Sequence, residues 1–142
     1  IQGEIINQLV KQVRVNDESV LLQQIKSENY ANQDELIIHS SFITDSLDIQ
    51  SFDYFVHPKD LKLLNPEIDC ELIKDKDEVF IELKAKNFAK AVFISVEDVD
   101  CRFAENYFDI LPNHTKRIKI MTEKEILKEQ VYIKSLYDVI FK

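Results

Sequence analysis

The residues most able to do chemistry fall between positions 97 and 115. Glu97-Asp98-Val99-Asp100 gathers three carboxylates in four residues and is the best metal-like cluster in the sequence. A calcium loop would continue with more oxygen donors and usually a glycine. Arg102 stands where a further ligand is needed, so the run reads as a solvated acidic loop. Cys101 precedes Arg102, whose charge favours a thiolate, but no local motif joins the thiol to His114, the nearest histidine. Asn113-His114-Thr115 is a formal glycosylation acceptor of a kind that chance supplies readily. Cys70 and Cys101 are too few for a disulfide scaffold and read as two small apolar side chains. A single bridge between them stays open, because sequence does not give their distance.

Aromatic side chains form two groups. Phe103, Tyr107 and Phe108 surround Glu105-Asn106, and Phe52, Tyr54 and Phe55 lie together upstream. Sugars stack on exposed aromatic faces, so Phe103, Asn106 and Tyr107 are candidate contacts to a sugar or a neighbouring domain. The competing reading is that half of each group faces the core and the rest packs on another domain, since aromatics dominate cores and interfaces. His39 has no metal partner at strand or helix spacing and reads as a satisfied or rim residue.

Composition narrows the classes. The 142 residues include one glycine, so the clustered glycines of a phosphate-cradling loop are absent. Net charge is -8, against the cationic excess that nucleic acid requires. No apolar run approaches the roughly 18 residues of a membrane span. No cofactor and no metal is expected. Ile, Val, Phe and Tyr number 18, 11, 9 and 5, roughly 30% of the chain. Such side chains suit a pleated, half-buried surface, so the composition leans all-β.

The elements follow from periodicity. Strands are expected over 4–15, 20–25, 36–43 and 47–56, with a turn at Asn16-Asp17-Glu18-Ser19 and a tight one at Thr44-Asp45-Ser46. Pro58 and Pro66 bracket a module boundary near residue 60. Beyond it, Ile68, Cys70 and Leu72 share a face, as do Val79, Ile81, Leu83 and Ala85. Residues 91–96, 107–111 and 117–120 give further strands. Thr122-Glu123-Lys124-Glu125 fits a capping box and predicts one short helix over 122–130. A last strand is expected from Val131, with Leu136 packing after a break in step. One short helical pattern among many strands predicts a sandwich rather than βαβ units.

One longer pattern carries a resemblance. It comprises Ala91-Val92-Phe93-Ile94, then Phe103, then Glu105-Asn106-Tyr107-Phe108-Asp109-Ile110-Leu111-Pro112, and finally Ile133-Lys134-Ser135-Leu136-Tyr137-Asp138. Upstream lie Phe55-Val56-His57-Pro58-Lys59-Asp60-Leu61-Lys62-Leu63 and Asn65-Pro66-Glu67-Ile68. Together these resemble the carboxy-terminal region of β-mannosidases of glycoside hydrolase family 2, well over about 36–140 and weakly before. Glu105 replaces a usual Asp, and Asn113 a frequent glycine.

The resemblance implies immunoglobulin-like β-sandwich modules with one short helix near the C-terminus. Residues 61–142 are expected to form a complete sandwich and 1–60 the later strands of a preceding, truncated one. The opening at Ile1, with Met121 the only methionine, suggests a processed or excised chain. The parent enzyme implied would hydrolyse terminal β-mannosides with two glutamates on a (β/α)8 barrel. Those carboxylates must stand about 5 Å apart across a sugar. No Asn-Glu dipeptide is present, so no catalytic residue is carried over. The partner implied is that barrel; the truncated first module is expected to be either splayed or completed by a neighbouring copy in a homodimer, and neither nucleic acid nor membrane is expected.

Overall fold

A computed structural model describes residues 1–14, 21 and 23–141. The expected turn at residues 16–19 lies outside the described residues, as do Val15, Val20 and Leu22. The chain divides into two compact units, Glu4–Leu61 on one hand and Ile1–Gly3 with Lys62–Lys142 on the other. Among the described residues no helix is long and apolar enough to cross a membrane.

The larger unit is a β-sandwich. Strands β3 (Ile68–Asp75), β4 (Glu78–Ala85), β8 (Thr115–Met121) and β6 (Arg102–Phe103) make one antiparallel sheet in the order β3-β4-β8-β6. Strands β7 (Phe108–Ile110), β5 (Ala89–Val96) and β9 (Val131–Lys134) make the other, in the order β7-β5-β9. Register explains why the alternation was readable. Leu72 faces Ile81, which faces Ile118, and Cys70 faces Leu83, so one apolar row crosses the first sheet. Ile81, Leu83, Ala85, Ile118 and Ile120 meet Ala89, Val92, Ile94, Phe108 and Ile110 in one buried core. Each large aliphatic side chain fully buried there contributes about 1.5–3 kcal/mol.

Two tight turns place a residue other than glycine in the left-handed region. Lys76 closes the β3–β4 hairpin at φ 56°, and Asn113 follows Pro112 at φ 62°. Asn113 donates its N–H to the Ala85 carbonyl at 2.7 Å. A left-handed backbone there explains why asparagine can stand where glycine is frequent. The single glycine, Gly3, has φ 94°, and a Cβ on it would lie 2.6 Å from Pro112 Cβ.

The helix is displaced from its expected place. Residues 122–127 are irregular, and only Lys128–Gln130 makes a 3-10 turn. Thr122 Oγ1 accepts the Lys124 N–H at 3.0 Å, a local side-chain turn that competes with helix initiation. The α-helix, α1, spans Leu136–Ile140 and replaces the expected continuation of the last strand. Asp138 Oδ2 accepts both the Ser135 N–H, at 2.8 Å, and the Ser135 hydroxyl, at 3.0 Å. This reciprocal cap stops β9 and turns the chain.

In the unit 4–61, β1 (Ile38–Ile43) and β2 (Asp48–Asp53) form the expected hairpin, Phe42 facing Ile49. Thr44 Oγ1 accepts the Leu47 N–H and tightens the turn. The strand expected over 4–15 is not formed: residues 4–14 are irregular. Their alternation was imperfect, and a strand needs a ladder partner. Residues 21 and 23–25 are likewise irregular.

Candidate functional site

Phe103, Asn106 and Tyr107 have three different fates. Phe103 pairs with Ile120 and turns inward against the core. Asn106 is spent on the backbone of β5. Its Oδ1 accepts the Ile94 N–H at 2.9 Å, and its Nδ2 donates to the Ile94 carbonyl at 2.9 Å. A short polar side chain thus acts as a one-residue strand against Ile94. Oδ1 also accepts the Tyr107 N–H at 3.1 Å. Tyr107 alone faces solvent, 70% exposed, with its ring 5.1 Å from Phe93. Its φ of 59° is unusual for so bulky a residue.

Asp109 explains the next part of the pattern. Phe108 faces Val92 and Ile110 faces Ala89, so two steps on β7 span three on β5. The extra residue is a β-bulge, with Ala91 at φ 50°. Asp109 Oδ1 accepts the Ala91 N–H at 2.7 Å, and Lys90 Nζ lies 3.0 Å from Asp109 Oδ2. Glu105, the departure from the usual Asp, pairs with Lys116 at 2.8 Å. Lys116 in turn lies 4.7 Å over the Phe108 ring.

The chemical candidates do not converge. Among the described residues no group of His, Cys, Asp or Glu side chains could hold a metal ion. Glu97 and Asp98 form the turn after β5, and Glu97 Oε2 accepts the Tyr132 hydroxyl at 2.7 Å. That hydrogen bond, with the carboxylate's charge, holds the Tyr132 phenol above its usual range. Cys101 sits one residue before Arg102, which pairs with Met121. His114 is at the far end of β8, some 20 Å or more along the strand at ~3.3 Å per residue. Its Nδ1 is 3.0 Å from the Pro112 carbonyl. Burial, then Asp100, pushes the Cys101 thiol up, opposite to what a nucleophile needs.

The two cysteines are free and pack beside the core, as small apolar side chains. Cys70, on the edge strand β3, lies level with Leu83 of β4, and Cys101 adjoins β6 at the opposite edge. Three strand spacings make ~14 Å across the sheet, well past the ~7 Å Cα separation a disulfide tolerates. Burial, eased by Lys128 and reinforced by Glu71, raises the Cys70 thiol as well. The shallow groove beside it, about 280 Å³, is lined by Asp69, Glu71, Glu82, Lys84, Thr115 and Lys128. Its mixed charges and open form suit a solvated surface.

The upstream aromatics are paired within their own unit. Phe52 stacks on His39 at 4.9 Å, and Phe55 on Tyr30 at 5.6 Å. Sequence reasoning missed Phe93 and Tyr132 as surface aromatics. Period-2 logic could have found Tyr132, which lies between the inward Val131 and Ile133.

Two packed antiparallel sheets, a bulged β5 and a capped terminal helix define an immunoglobulin-fold domain. Residues 63–139, over half the chain, match the Ig_mannosidase family, an Ig-fold domain, and the chain belongs to that family. No curated protein matches it. The motifs that carried the resemblance are those now seen to cap the bulge, pin β5 and stop β9. The domain is an accessory fold of mannosidases rather than a catalytic one.

Proposed function

We propose that this chain is the non-catalytic C-terminal accessory region of a β-mannosidase-type glycoside hydrolase. The parent enzyme hydrolyses terminal β-mannosides, and this region packs on its catalytic barrel and supports it. One observation carries the reading: within the family match, Asn106, Asp109 and the Ser135–Asp138 pair are all consumed in holding the backbone. Residues committed to backbone clamps serve architecture, whereas a retaining glycosidase needs two carboxylates about 5 Å apart on opposite sides of a sugar. Exposed Leu127, Val139 and Phe141 offer apolar side chains for packing on a neighbour.

The test has two arms. The chain alone, assayed on an aryl β-mannoside, gives no turnover above buffer. Added to a barrel domain from the same reading frame, it raises the melting temperature of that barrel. Turnover by the isolated chain overturns the reading, as does a reading frame without a barrel.

Residues 4–61 are proposed as the later strands of a preceding sandwich, completed in the isolated chain by a second copy. Their exposed Ile5, Leu9, Val10, Phe42, Ile43 and Ile49 motivate this.

A further inference from the structure

The outer face of the β7-β5-β9 sheet carries a rigid aromatic surface. Ile94 and Ile133 pair and turn inward, so their strand neighbours Phe93, Ser95, Tyr132 and Lys134 turn outward. Phe93 faces Lys134 and Ser95 faces Tyr132, which puts Tyr132 diagonal to Phe93, at about 7–8 Å by sheet geometry. Tyr107 leans on Phe93 from the other side at 5.1 Å. Three rings therefore run in a short row across the sheet.

Both ends of the row are held in place. The Tyr132 hydroxyl donates to Glu97, and the Tyr107 N–H donates to the pinned Asn106 amide. Yet Tyr107 is 70% exposed and Tyr132 48% exposed. Tyr107 also keeps φ at 59°, a conformation that costs a bulky side chain on the order of 1 kcal/mol or more. Burial cannot be the compensation for a ring mostly in water. On the opposite sheet the outward Phe80 is covered instead, with the Arg117 guanidinium 4.0 Å above its ring.

The size of the row selects the occupant. At ~200 Å² per ring, the exposed part is on the order of 300 Å². A stable protein partner needs about 800 Å² on each side. The row is the size of two or three pyranose rings. The negative face of an aromatic ring attracts the C–H hydrogens on the flat side of a pyranose. Ser95 and Lys134 stand beside the rings as hydrogen-bonding groups for hydroxyls.

We propose that Tyr107, Phe93 and Tyr132 form a binding platform for neutral β-linked oligosaccharides. This goes beyond the accessory role and does not depend on it, since the platform is complete within β5, β7 and β9.

Titration of the whole chain with β-1,4-mannotriose, followed through Tyr and Phe ring resonances, tests the platform. Saturable shifts confined to Tyr107, Phe93 and Tyr132, with a dissociation constant in the millimolar range, are expected. Cellotriose, titrated separately, reports whether the platform discriminates between epimers; binding of either sugar there supports it. Tyr107→Gly removes the ring while easing the backbone, so this variant folds at least as well as the parent. It is expected to lose affinity tenfold or more with an unchanged or higher melting temperature. Absence of shifts with both sugars at about 20 mM overturns the proposal. Equal affinity in the Tyr107→Gly variant overturns it too.

Discussion

The amide of Asn106 makes two hydrogen bonds to one residue, Ile94, closing on both its N–H and its carbonyl at 2.9 Å. This is ladder pairing by a side chain, and it extends the β7-β5-β9 sheet past the end of β7. Asn106→Ala leaves two backbone groups of β5 without partners, each costing about 1–3 kcal/mol. The expected loss is about 2–4 kcal/mol, read as a fall in the denaturant midpoint at unchanged m-value. Asn106→Asp keeps an acceptor for the Ile94 N–H and loses the donor to its carbonyl, so its effect is also destabilising. An Asn106→Ala protein as stable as the parent would show that the clamp contributes nothing.

The bulge at Ala91 gives predictions of opposite sign. Asp109 accepts the Ala91 N–H and pairs with Lys90, both side chains largely buried. Asp109→Ala removes a charge-assisted hydrogen bond to the Ala91 N–H together with the largely buried ion pair to Lys90, which predicts a loss of about 2–4 kcal/mol. Ala91→Gly replaces a residue at φ 50° with one that adopts that conformation freely, and predicts a gain of about 0.5–1 kcal/mol. Thermal melts of the two variants against the parent check both.

How far the sequence could be read depends on the range of each interaction. Val79, Ile81, Leu83 and Ala85 announced β4 because a half-buried strand writes its burial into every second residue. The β1–β2 hairpin was legible for the same local reason. Three S/T-x-x-D/E patterns occur in the chain, Ser95 to Asp98, Thr122 to Glu125 and Ser135 to Asp138. Local sequence does not rank them; tertiary packing does, because Ser135 is 2% exposed and α1 packs on β5. Strand β6 is two residues long and leaves no period to detect. Asn106 was read as a possible sugar ligand because its partner lies 12 residues away, and nothing local names Ile94.

The cysteines carry a pH prediction. Both thiols are raised, chiefly by burial. A raised thiol keeps its proton longer in the folded protein than in the unfolded chain. The unfolded chain therefore ionises first as pH climbs through the ordinary thiol range, and stability falls there. Below that range the full contribution is present. Iodoacetamide labelling at pH 8 is expected to be slower than for free cysteine and to reach the same rate once the chain is denatured. A dithiol reductant leaves the melting temperature unchanged, because Cys70 and Cys101 are unbridged. A melting temperature that drops on reduction would contradict the geometry.

The unit 4–61 makes its own prediction about association. A two-stranded hairpin by itself is marginal in water, and here Ile43 is 70% and Val10 83% exposed. A second copy is expected to cover these side chains, so light scattering should report a mass that rises from monomer to dimer with concentration. Ile43→Lys and Ile49→Lys together place charge on the hairpin and shift that equilibrium back to monomer. A monomer at all concentrations, with slow amide exchange through β1 and β2, rules the dimer out.

Gly3 supplies the last test. Its backbone runs so close to Pro112 that a Cβ would sit 2.6 Å from Pro112 Cβ and 3.0 Å from Cγ. A proline ring cannot swing aside as a flexible side chain does, and φ 94° disfavours any L side chain as well. Two residues earlier, the Ile1 carbonyl accepts the N–H of Phe88, a fully buried side chain. Gly3→Ala must therefore lift residues 1–3 away from the sandwich and break that bond. The amide of Phe88 is expected to exchange tenfold or more faster in the variant, while amides of β4 and β8 keep their protection. Unchanged exchange at Phe88 would mean that the segment accommodates the methyl group by a smaller shift than the contact distances allow.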